Sequence, residues 1–241
     1  PQADFLRGEF GKAVLEEYQA RAKEDYSDNS NLKILTYENN VVKGSIPFAV
    51  CLVARIVREN KLRTATQADL EKILKLNALN LRGTYEDSGL VLRDENEPNS
   101  YLAKDLSEQI KQRQDLEYPI MIPLYGLELR NNNDSSYGLS FNLREDSEII
   151  YSPILNENSG SFLSEDIDEN GLPKKLGKGD RYFYTEHSGL SGLCLHGVLV
   201  SGSDYVHLVS SSDDGRVVVV SHEVARKNLW EKWKCKNKFT S

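Results

Sequence analysis

The sequence predicts an α+β protein: a helical N-terminal part, a mostly antiparallel β-rich part after it, and a C-terminal helix. Three observations predict this. Up to about residue 115, apolar residues recur every three or four positions, and from Tyr118 onward the period drops to 2. Runs of helices followed by runs of strands favour α+β over a doubly wound sheet. Short apolar runs in the second half are separated by Gly, Ser, Asn and Asp clusters that favour turns. The expected division is a mainly helical part over 1–115 and a β-rich part over 116–241.

The elements follow in chain order. Leu6, Phe10, Val14 and Tyr18 recur every four residues after Asp4, a candidate N-cap, and predict an amphipathic helix over 5–24. "SDNSN" (27–31) ends it, and "LKILTY" (32–37) alternates as a short strand. Ser45 is a candidate cap for a second helix with Pro47 in its first turn, where a missing N–H costs least. Phe48, Val50, Leu52, Val53, Ile56 and Val57 make that helix apolar nearly all round, so it is expected to be buried. Thr66 with Asp69 resembles a capping box and opens a third helix striped by Leu70, Ile73 and Leu74. "GTYEDSGLVLR" (83–93) reads as a turn into a strand. Asn99 or Ser100 caps a fourth helix striped by Leu102, Leu106 and Ile110.

Two prolines in "YPIMIPLYGLEL" suggest an edge strand or a bulge. "GLSFNL", "EIIYSPIL", "RYFYTE", "GLCLHGVLV" and "YVHLV" follow as strands, and Asp214-Gly215 before "RVVVV" signals a hairpin. "HEVARKNLWEKWKCK" (222–236) reads as the closing helix.

Composition narrows the function classes. With 241 residues, 39% hydrophobic, the chain can bury a sizeable core. The net charge of −7 is spread evenly, −3 over residues 1–118 and −4 over the rest, which argues against non-specific nucleic-acid binding as the main task. Cys51, Cys194 and Cys235 are far apart and odd in number, which excludes a disulfide framework and suits a reducing compartment. The longest apolar run, Ile46–Val57, is too short for a membrane span and contains Arg55. The N-terminal stretch is charged throughout and unlike a signal peptide, although Pro1 in place of Met leaves an earlier leader open. The expectation is a soluble, cytoplasmic protein without a membrane partner.

Chemistry-bearing patterns are sparse, and no family signature can be quoted from these residues. In "SEDIDENGLPKKLGKGD" (164–180), Asp166, Asp168, Asn170 and Gly171 match the opening of a calcium-binding loop. Lys174 and Gly177 then stand where two further ligands are needed. The favoured reading is a polar, charged, mobile connection in which Asp and Asn cap their own backbone and Gly171 supplies a positive φ. Cys194 and His196, two apart in an expected strand, share a face, and His207 on a following strand could add a third ligand to zinc or iron. Packed neighbours favour an inert buried thiol instead. "HSGLSG" lacks the Gly-x-Ser-x-Gly elbow, and Arg226 stands where a "HEVAR" zinc protease needs its second His.

Arg55, Arg58, Lys61 and Arg63 lie where a winged-helix reading of 46–93 would place phosphate contacts, but nearby acids dilute that patch. In the closing helix, basic residues interleave with Trp230 and Trp233, a pattern better explained by docking and dipole complementarity. The preferred function is a non-catalytic binding or interaction protein whose partner is a protein or small ligand. The alternatives are a metal-dependent hydrolase built on Cys194, His196 and His207, and a nucleic-acid-binding regulator. No cofactor is specified by any motif.

Overall fold

The computed structural model describes residues 2–197 and 199–221. Four helices, α1 (Gly8–Glu24), α2 (Pro47–Arg58), α3 (Gln67–Lys75) and α4 (Ser100–Lys111), are found among the described residues. The first nine strands are β1 (Ala3–Phe5), β2 (Thr36–Glu38), β3 (Val41–Lys43), β4 (Leu62–Thr64), β5 (Glu86–Leu92), β6 (Ile120–Pro123), β7 (Leu127–Asn131), β8 (Leu139–Leu143) and β9 (Ile150–Tyr151). The remaining five are β10 (Gly160–Phe162), β11 (Arg181–Thr185), β12 (Leu190–His196), β13 (Val200–Tyr205) and β14 (Val218–Ser221).

Helix accounts for 27% and strand for 30%, so the fold is a sheet-rich α+β built on a curled seven-stranded mixed sheet. Its strand order is β10-β11-β13-β12-β5-β6-β9, antiparallel except for the β11–β13 pair. This corrects the expected sequence of a helical part and then an antiparallel β-rich part. β5, from the supposedly helical half, lies between β12 and β6 and is buried along its whole length. A second sheet also joins the ends of the described chain: β14 is flanked by β1 and β4. Periodicity read along a window cannot report such long-range pairing. The predicted C-terminal helix, with Trp230 and Trp233, lies outside the described residues.

The apolar α2 is buried as its composition requires, with Phe48, Leu52 and Val53 in the main core beside Leu90, Leu92 and Ile122. Phe48 stacks on Phe141 with ring centroids 4.6 Å apart. Alternation along β5 sends Val91 to the opposite face, where it meets Met121, Phe162, Leu172, Phe183 and Leu193. A third cluster packs Leu70, Ile73 and Leu81 against Leu195, Val218 and Val220. Among the described residues no helix is long and apolar enough to cross a membrane.

Four local expectations shift for identifiable reasons. Asp4 does not cap α1, because Phe5 is held in β1 opposite Val218 and the helix starts at Gly8. Asn99, at φ 61°, precedes α4 without capping it: its amide donates to the carbonyls of Leu190 and Val206. Asp214-Gly215 closes no hairpin, since the preceding strand β13 lies in the large sheet while β14 pairs with β1 and β4. β6 is an inner strand, with Pro119 before it and Pro123 at its end.

The capping box of α3 forms in full. Thr66 Oγ1 accepts from the Asp69 N–H at 3.2 Å, and Asp69 accepts from the Thr66 N–H at 2.8 Å. Thr66→Ala should therefore cost about 1 kcal/mol in denaturant-unfolding stability. An unchanged unfolding midpoint would show that the box contributes nothing.

Candidate functional site

α3 lies beside the curled end of the large sheet, and a buried polar network joins the two. Arg181, at the start of β11, forms a two-pronged ion pair with Glu71 on α3, its Nη2 donating to Oε1 at 2.8 Å. Both side chains are only 8% exposed, so the pair is a desolvated one. Arg181 Nε donates to the Leu199 carbonyl at 2.6 Å, and Nη2 also donates to Ser201 Oγ at 3.0 Å. The guanidinium lies over the Phe162 ring, 4.8 Å from its centroid.

Glu71 is likewise surrounded by donors. Ser201 Oγ donates to Oε1 at 3.2 Å and Gln67 Nε2 approaches it at 3.4 Å. Ser88 Oγ donates to Gln67 Oε1 at 2.8 Å, extending the network to β5. Ser88 reaches α3 because β5 carries an extra residue there: Leu193 pairs with Gly89 and Cys194 with Asp87, leaving Ser88 unpaired in the ladder.

Above this network opens a cavity of about 380 Å³. Arg181 and Leu199 line its sheet side, and α3 contributes Glu71, Leu74 and Lys75. The loop after α3 adds Asn77, Leu79, Asn80, Leu81 and Arg82, and the β10–β11 connection adds Ser164 and Glu165. The wall thus combines leucines with a few polar and charged groups.

The connection 164–180 is anchored rather than mobile. Leu172 is fully buried, and a Cβ on Gly171 (φ +82°) would lie 2.5 Å from the Ala68 N at the start of α3. Asp168 Oδ1 accepts from the N–H groups of Asn170 and Leu172, both at 2.9 Å, as an Asx turn. Asp166 faces Lys174 at 3.9 Å and Lys175 at 3.7 Å. Asp166, Asp168 and Asn170 thus shape a turn and its charge balance.

Among the described residues no three His, Cys, Asp or Glu side chains are grouped so as to hold a metal ion. Cys194, His196 and His207 are therefore not brought together as ligands. Cys194 is buried with its thiol pKa pushed up by burial and by nearby Asp87, while His196 and His207 are exposed. His207 falls after the end of β13, so the expected strand "YVHLV" does not carry it across from Cys194.

The residues of the proposed phosphate patch have acidic or backbone partners. Arg55 pairs with Asp25 at 3.0 Å, and Arg58 with Glu128 at 3.1 Å and the Tyr125 carbonyl at 3.2 Å. Arg63 forms a bidentate pair with Asp69 and stacks over Tyr125. Lys61 is exposed at a left-handed φ of 57° just before β4.

A second polar cluster lies at the start of β5. Ser45 Oγ donates to Asp87 Oδ2 at 2.6 Å, which is why Ser45 does not cap α2. Burial pushes the Asp87 carboxyl up to about 7 despite that bond. Burial likewise raises Glu86 to about 8, with Asp87 adding to it while Thr84 and Arg216 oppose. Glu86 Oε1 accepts from Thr84 Oγ1 at 2.6 Å, and its Oε2 has no hydrogen-bond partner among the described residues.

Sequence reasoning missed the cavity floor. Glu71 and Arg181 lie 110 positions apart, and no local pattern links them. Neither models of protein families nor curated proteins nor solved structures give a match to the chain.

Proposed function

We propose that the protein is a non-catalytic binding protein whose small ligand occupies the cavity between α3 and the β10–β11 connection. The observation that carries this reading is the open cavity itself, walled by leucines and floored by a polar network that is already paired. A preformed, rigid floor favours binding because little must be ordered when a ligand enters. The lining includes neither His nor Cys, and the Glu71 carboxylate is engaged by Arg181, which favours holding a ligand over transforming it. Cys51 and Cys194 are free and buried, in keeping with a reducing, cytoplasmic setting.

The test is a thermal-shift screen of the full chain against small anionic, neutral and cationic compounds, repeated on Leu79→Trp, which fills the cavity. At least one class should raise the melting temperature of the parent and leave Leu79→Trp unmoved. A screen with no hit, or hits that survive the tryptophan, would overturn the reading.

A further inference from the structure

We infer that the ligand is a small amphiphilic monoanion, its carboxylate held by Arg82 and Lys75 and its hydrocarbon part laid against the cavity leucines. This rests on the binding reading above and names the chemistry of that site.

Charge carries the first step. Arg181 and Glu71 neutralise each other in the floor, which leaves Lys75 and Arg82 facing Glu165 at the rim, a balance of one positive charge. Partnering sharpens it. Every other described arginine places its guanidinium against a carboxylate, a carbonyl or a hydroxyl. Buried Arg93 donates to Ser191, Ser203 and the Leu155 carbonyl, and Arg113 to the carbonyls of Leu143 and Arg144. Arg82 alone among the described arginines has a guanidinium with no hydrogen bond or ion pair; its own contact is a backbone one, its N–H donating to Asn80 Oδ1 at 3.1 Å. A guanidinium fork suits two carboxylate oxygens, and a second cation without a described partner, Lys75, lines the same cavity.

Apolar surface carries the second step. Leu74, Leu79, Leu81 and Leu199 line the same cavity. Among the described residues the two exposed large aliphatic side chains, Leu76 at 62% and Leu163 at 41%, are chain neighbours of lining residues Lys75, Asn77 and Ser164. Isolated exposed leucines need no explanation, so the apolar step rests on the four lining leucines. A ligand with a charged head and a hydrocarbon tail uses both features, whereas inorganic phosphate uses only the first.

The experiment titrates isotope-labelled full chain with hexanoate, hexan-1-ol and hexylammonium, and separately with phosphatidylglycerol vesicles, following backbone amide resonances. Hexanoate should perturb residues 74–82 and 164–165 and bind roughly tenfold more tightly than the alcohol, the size of one charge-assisted contact, while hexylammonium should bind less than either. Arg82→Gln, at an exposed position, should remove that tenfold preference and leave the alcohol unaffected. Lys75→Gln should weaken hexanoate in the same direction. If the alcohol matches hexanoate, or Arg82→Gln leaves the ratio intact, the anion inference fails and the cavity reading stands. If none of the three perturbs these residues, the cavity reading fails and the inference with it. Binding to vesicles without binding to hexanoate would overturn a free ligand in favour of a lipid surface.

Discussion

Arg181→Ala is expected to destabilise the protein by about 3–5 kcal/mol, the cost of leaving one partner of a buried ion pair unpaired. Glu71, 8% exposed in the parent, would keep only the neutral donors of Ser201 and Gln67. The Leu199 carbonyl would lose its donor and Phe162 the cation above its ring. Urea unfolding of the parent and the variant reads the effect.

The paired replacement Arg181→Met with Glu71→Leu separates the charge from the packing. Removing both partners discards their desolvation cost together, so the double variant should recover most of the stability lost by the single one. A double variant no more stable than Arg181→Ala would mean that geometry around Ser201 and Leu199, not charge burial, dominates. Since Arg181 and Glu71 form the cavity floor, such a variant also provides a folded protein with an apolar floor for ligand titrations.

What could be read from the sequence was local. The Thr66–Asp69 box, Pro47 in the first turn of α2 and the burial of α2 each depend on residues within one or two turns, and each is found. The Asx turn at Asp168 with a positive φ at Gly171 was legible for the same reason. What failed depended on distant partners. Ser45, Asp4 and Asn99 all have cap-forming side chains, yet Asp87, the Val218 pairing and two remote carbonyls compete for them or for the adjoining backbone. The central place of β5 was hidden because its first three residues, Glu86, Asp87 and Ser88, are polar and still buried. Within the candidate site, the absence of a partner for the Arg82 guanidinium is a three-dimensional fact that no local pattern reports.

Those buried carboxyls set the pH dependence of the fold. Glu86 at 2% exposure and Asp87 at 5% have folded pKa values of about 8 and about 7, raised chiefly by burial. Between the unfolded carboxylate range and these values the native state binds more protons than the unfolded state, so stability must fall as pH rises. It is greatest in mild acid and declines through the folded pKa values, by on the order of a few kcal/mol for each group. Carboxylates held low act in another window. Asp69, where burial is overcome by Arg63 and the Thr66 hydrogen bonds together, contributes stability that is lost only as pH falls below its ordinary value. Measurements from pH 5 to pH 9 therefore read the raised carboxyls, among which burial also pushes Asp204 up.

Glu86→Gln keeps the shape and the bond from Thr84 while removing the group that must ionise. The variant should match the parent near pH 5 to within the cost of its new amide and be clearly more stable at pH 9. Asp87→Asn should remove the lower part of the decline, which ends near pH 7, and the double variant should be flatter than either single one. Urea midpoints at pH 5, 7 and 9 for the four proteins decide it. A Glu86→Gln profile as steep as the parent would mean that Glu86 stays ionised in the folded protein, with Arg216 or water compensating its charge.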